Sequence, residues 1–268
     1  MRVFASGLRK LVRRPASFVT LGLMIGLILL VFLAIGATAR SLESESGGGE
    51  ALLLVTFPGA YELALGFILG LGGLLALVYG AAIAGSEWTW GTLKTAVARG
   101  EGRSWYILWT FASIAVLVAV GMAVSYAISV GAAYVGALLA GVSTAGAGDA
   151  STLGKLPELF GRGWIALVEQ TAIGYAVATV TKSQLAGIGV GIAAYFGEQF
   201  ASIFVHDIVQ WLPFSAANAA VSTGAPSGGG QALLASLDPN TALLVVIAWL
   251  VGALAVASLF TERAEIGG

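Results

Sequence analysis

The chain has 268 residues, 58% of them hydrophobic and 10% charged, with 38 glycines, no cysteine and a formal net charge of −1. A mean hydropathy of +0.92 excludes an ordinary soluble domain and places the chain among polytopic membrane proteins. The lack of cysteine excludes disulfides, thiolate metal sites and cysteine nucleophiles, and the single histidine, His206, cannot build a metal site alone.

The chain begins "MRVFASGLRKLVRRPASFV", in which Phe4, Leu8 and Leu11 share one helical face among basic residues and Pro15 marks a break. Residues 1–15 read as a helix lying on the cytoplasmic membrane surface, or as a basic topology signal without fixed structure. A first span follows at Ser17 to Ala39. It is too long for a signal-peptide core, although "ATA" at 37–39 has the spacing of a cleavage site, and it is expected to stay. The glycine-rich, acidic "SLESESGGGE" (41–50), with Glu43, Glu45 and Glu50, reads as a solvated loop, and a second span covers Tyr61 to Ala84.

Trp105 to Gly141 runs without a charge, roughly 55 Å of helix at about 1.5 Å per residue, well beyond one bilayer thickness. With no proline or polar cluster to turn a hairpin, one long helix is preferred to two spans. After the small polar "STAGAGDAS" (143–151) come spans at Trp164 to Thr181 and Gln184 to Val205, joined by the tight turn "TKSQ". The semi-apolar "HDIVQWLPFSAANAAV" (206–221) opens an outer segment over 206–240, a short helix or re-entrant turn with Trp211 and Phe214 at headgroup level. A last span covers Thr241 to Phe260.

Lysine and arginine set the orientation. With six spans, Arg2, Arg9, Lys10, Arg13, Arg14, Lys94, Arg99, Arg103, Lys182 and Arg263 lie inside, and Arg40, Lys155 and Arg162 outside. Seven spans would also give ten against three, so charge alone does not choose between them.

Between the second and third spans, "SEWTWGTLKTAVARG" (86–100) carries its own helix signals. Ser86 is a candidate cap, Glu87 stands at the positive end, Lys94 and Arg99 lie toward the negative end, and Gly100 suits the stop. Trp90, Leu93 and Val97 give one apolar face, weakened by Gly91. Such a helix either anchors in lipid through its tryptophans or docks a cytoplasmic partner.

"GSEWTWGTLKTAVARGEGR" resembles the first cytoplasmic loop of the membrane subunits of type 2 ATP-binding-cassette (ABC) transporters. There an acidic residue, an aromatic, "GT" and a basic "RG..R" run recur in this order after the second span. The basic "RKLVRRP" leader, the glycine-rich second span, the "TKSQ" turn and the closing "TER" resemble the rest of that layout. The resemblance implies an all-α permease domain over 1–268, with six transmembrane helices and both termini cytoplasmic. It further implies an N-terminal interfacial helix, a coupling loop at 85–104 and a short outer helical segment. Residues 86–100 would then be the coupling helix, with Glu87, Trp88, Trp90, Thr92, Lys94 and Arg99 as ATPase contacts.

This chain has no phosphate-binding loop of its own. "DASTLGKL" (149–156) has Asp149 in place of the first glycine and Leu156 in place of Ser or Thr. ATP and Mg are therefore expected on a separate ATP-binding subunit, in two copies, and a second permease chain, identical or related, is expected beside this one. The setting would be a bacterial-type cell membrane, with lipid as solvent and no nucleic acid as partner.

Two polar pairs interrupt the later spans, Glu169 with Gln170 and Glu198 with Gln199. Each glutamate lies about 20 Å above the inner turn, so on adjacent antiparallel helices they would share a level. An intramembrane carboxylate costs roughly 2.5 to 3.5 kcal/mol on insertion scales and should face the protein interior or water. The pairs, with Tyr175 and Tyr195, are candidates for a translocation path, or else serve helix-to-helix hydrogen bonding. The leading expectation is a non-enzymatic ABC permease, with export as the direction of transport. An intramembrane enzyme using Glu169 and Glu198, or a non-transporting membrane subunit, are the alternatives.

Overall fold

The computed structural model describes residues 2–42, 52–222 and 237–264, which are largely helical, with no strand among them. Glu43, Glu45 and Glu50 lie outside the described residues. The helices, in chain order, are α1 (Arg2–Val12), α2 (Pro15–Leu42), α3 (Gly59–Thr89), α4 (Thr92–Ala98) and α5 (Arg103–Ala140), then α6 (Ala150–Thr181), α7 (Gln184–Ala201), α8 (His206–Val209), α9 (Pro213–Val221) and α10 (Pro239–Arg263).

Among the described residues, four helices are long and apolar enough to cross a membrane: Pro15–Thr38 of α2, and α3, α5 and α10. This is an all-α membrane protein. The two expected spans outside that group, in α6 and α7, are those interrupted by Glu169–Gln170 and Glu198–Gln199. Residues 105–141 form one continuous helix, closed by Gly141 at φ 75°. Nothing in that stretch frees a backbone group to make a turn.

The bundle is centred on α3, which packs against α6 and α7, while α2 lies along α5 and α10 along α6. Close approach makes the α3–α6 seam. A Cβ on Gly80 would stand 2.1 Å from the Thr171 carbonyl oxygen, and one on Gly174 2.0 Å from that of Leu77. Only glycine lets the two backbones meet there.

Two apolar cores result. One, built on Phe32, Ile68, Met122 and the α9 alanines, fills the α9 end; the other, built on Leu11, Ile83, Phe111 and Tyr175, fills the α1 end. α1 is a fixed helix rather than an unstructured leader: Phe4 packs edge-on to Trp109, and Ser113 Oγ of α5 donates to the Phe4 carbonyl at 3.1 Å.

Several boundaries differ from those expected. α6 starts at Ala150 instead of Trp164, because Asp149 caps it by accepting from Thr152 N at 3.0 Å. The "DASTLGKL" run is thus a helix start. α7 stops at Ala201, short of Val205, and the described part of 206–240 holds the short helices α8 and α9 before α10 begins. Phe214 faces protein rather than lipid: it is 1% exposed and packs on Tyr195, since the alanine-rich α9 folds back against α6 and α10. The "TKSQ" turn is as tight as expected, with Lys182 at φ 53° ending α6 and Ser183 capping α7.

Candidate functional site

The loop after α3 is divided at Gly91, whose φ of 63° turns the chain left-handed between α3 and α4. The expected single helix over 86–100 is therefore corrected to two pieces. Ser86 is not a cap. It lies inside α3, donating to the Ile83 carbonyl at 2.8 Å and accepting from Arg14 Nη1 at 2.7 Å. Gly100, at φ 87°, does stop the segment. The expected apolar face is also broken: Leu93 is 2% exposed, facing the bundle, whereas Trp90 before the break is 64% exposed.

Glu87 is 3% exposed and turned inward, so it anchors the loop instead of presenting a contact surface. One carboxylate oxygen receives Arg14 Nη2 at 2.9 Å and Lys10 Nζ; the other receives Thr92 Oγ1 at 2.6 Å and the Tyr106 hydroxyl. A single side chain thereby ties α1, the α1–α2 bend, α3, α4 and α5 together. Burying a carboxylate is costly unless every lone pair finds a donor, and here four donors meet it. Sequence reasoning missed all four as its partners. The available signal was depth, since Arg14 immediately precedes the first span, and Glu87 closely follows the second.

The remaining loop candidates face outward or lie at the rim. Lys94 and Arg99 are exposed, Trp88 and Thr92 half-buried. Arg14 lies 5.1 Å from the Trp90 ring centroid and Lys182 5.3 Å from that of Trp88, within cation–π range. Lys182 also reaches Phe260 at 5.8 Å, which joins the inner turn to α10.

Deeper in the bundle, Glu169 is 0% exposed and neither carboxylate oxygen has a hydrogen-bond partner among the described residues. Gln170 beside it lies over Gly73 of α3, where the two cores meet, and its Oε1 is likewise unpartnered there. Glu198 is within electrostatic reach of Glu169. It plays a different part: its carboxylate accepts from the backbone N–H groups of Phe214, at 3.4 Å, and Ser215, capping α9. Tyr195 donates to the Gly70 carbonyl at 2.9 Å, and Gln199 is half-buried on the same turn as Glu198. Tyr175 lies apart from this group, buried on Phe111 near Glu87 and Arg14. The structure thus sets Tyr195 and Glu198 one turn apart on α7, buries Glu169 on α6, and leaves Tyr175 with the α1-end network.

Compared with known proteins, the chain matches no family model, and no curated protein is significantly similar to it.

Proposed function

We propose that this chain is the membrane subunit of an ATP-driven transporter of the type 2 ABC class, working as an exporter. In this reading all six apolar segments cross the cell membrane, both termini are cytoplasmic, and a second identical or related permease completes the pathway. Two ATP-binding subunits carry the ATP and Mg. The observation that carries the reading is the anchoring of α4. A seven-residue helix that bears Lys94 exposed, with Trp90 at its entrance and Arg99 just past its end exposed as well, packs on the bundle through Leu93, and its first residue, Thr92, is bonded to Glu87. A partner pressing on α4 would move α3, α5 and α1 together, because Glu87 holds all of them.

Such a transmission also has somewhere to go. α3 carries the displacement along its seam with α6 to Gln170 and Glu169, the buried polar groups at mid-bundle that would line the path. Glu198, engaged in capping α9, is better suited to holding the outer helix in place than to serving as half of a catalytic carboxylate pair.

The test is to purify the tagged chain from native membranes in mild detergent, identify accompanying proteins by mass spectrometry, and assay ATP hydrolysis. The native chain brings an ATPase with it, and Trp90→Ala/Lys94→Ala loses that ATPase with an unchanged melting temperature. An equal yield of ATPase from both chains, or none from either, would overturn the proposal.

A further inference from the structure

We propose that a cleft on the flank of the bundle holds one acyl chain of an anionic glycerophospholipid whose headgroup rests on Arg9 and Arg13. The cleft has a volume of about 400 Å³ and is almost wholly apolar, walled by Leu21 and Met24 of α2, Ile68 and Gly72 of α3, and Gly121 of α5. Leu8 and Val12 of α1 also line it.

Its length identifies the occupant. From Tyr79 to Ile68, both on its wall, α3 rises about 16 Å at 1.5 Å per residue. That is half of the roughly 30 Å hydrocarbon core, the depth of one leaflet. Two of the walls, α2 and α5, are helices long and apolar enough to cross a membrane, so the cleft lies at acyl-chain level.

Charge identifies the headgroup. Four cations crowd residues 9 to 14, the last turn of α1 and the bend after it, and they divide into two pairs. Lys10 and Arg14 turn inward to Glu87. Arg9 and Arg13, one residue beyond Leu8 and Val12, are exposed, and no carboxylate among the described residues forms an ion pair with either. The arginine strip therefore borders the cleft face of α1, where a phosphate joined to a chain in the cleft would lie. At the same end, the Ser17 and Tyr79 hydroxyls, 2.9 Å apart, are polar groups on the wall. This inference requires only that the chain resides in a membrane, so it stands or falls separately from the transport reading.

The test is native mass spectrometry of the purified full chain, titrated with phosphatidylglycerol and with phosphatidylcholine. One phosphatidylglycerol per chain is expected to persist. Gly121→Leu extends a branched side chain into the cleft from a position where a Cβ has nothing within 4 Å, and should cut bound lipid at least roughly tenfold with the melting temperature unchanged. Gly72→Ala, whose Cβ would make ordinary contacts at 3.6 Å, narrows the opposite wall and should weaken binding in the same direction. Arg9→Gln/Arg13→Gln should keep the lipid but lose the anionic preference, about fivefold per arginine or about 1 kcal/mol each. Equal retention by the native and Gly121→Leu chains, or equal binding of the two lipids by the native chain, would overturn the proposal. So would a Gly121→Leu chain that changes its oligomeric state but not its lipid content, since the cleft would then be a protein interface.

Discussion

Because Glu87 faces both Lys10 and Arg14 in a buried setting, its removal strands two cations beside the first span and frees two hydroxyls. Breaking a buried ion pair from one side typically costs about 3 to 5 kcal/mol. Glu87→Gln should therefore lower the thermal midpoint and expose Lys94 and Arg99 to trypsin. Removing the more deeply buried of the two stranded charges as well, in Glu87→Gln/Arg14→Gln, should cost less than the two single changes summed, because the pair is coupled. Asp149 is the residue whose pH dependence is most direct. Hydrogen bonds from the Thr152 hydroxyl, then the Ser151 hydroxyl and the Thr152 amide, hold its carboxyl at about 2, below the ordinary 3.8. A depressed carboxyl contributes stability above its ordinary value and loses it as pH falls through the depressed one. Hydrogen exchange at the start of α6 should thus stay slow at pH 4 and accelerate near pH 2, and Asp149→Ala should abolish that dependence.

At the scale of the elements, the α3–α6 seam is the most constrained feature. Gly80→Ala places a methyl against the Thr171 carbonyl oxygen, so a backbone must shift, at a typical overpacking cost of about 1 to 3 kcal/mol. A melting temperature unchanged by Gly80→Ala would contradict the seam. Much of this scale was legible in the sequence, where local chemistry decides: the absence of any turn signal in 105–141 gave one helix, Thr181 to Gln184 gave a tight turn, and Gly100 gave a stop. What the sequence hid depends on distant partners. Ser86 looked like a cap until Arg14, far off in sequence, reached it inside α3. Phe214 looked interfacial because nothing local reveals that Glu198 captures the first turn of α9 and draws it into the bundle. Glu87 was visible as an unusual residue, but its inward orientation was not, since its four donors come from α1, the α1–α2 bend, α4 and α5.

Across the whole molecule, large apolar side chains face outward along α2, α7 and α10, as at Leu30, Phe200 and Leu244, which suits a bundle solvated by lipid. Among the described residues, four helices meet the length and apolarity needed to span. α6 and α7 fall short through their Glu–Gln pairs, and crossing would be eased for them because Glu169, Gln170 and Glu198 are turned into protein. The mechanical centre of the proposed transporter is the anchored α4, and its most direct test uses the absence of cysteine in the chain. A single cysteine placed by Lys94→Cys, on the exposed face of α4, can be cross-linked in native membranes and the product sequenced. The expected result is a cross-link to a protein carrying a phosphate-binding loop, formed on the cytoplasmic side. Labelling of that cysteine only from the outer face, or a cross-link yield no higher than that of a cysteine placed at Ser143, would contradict a coupling role for α4.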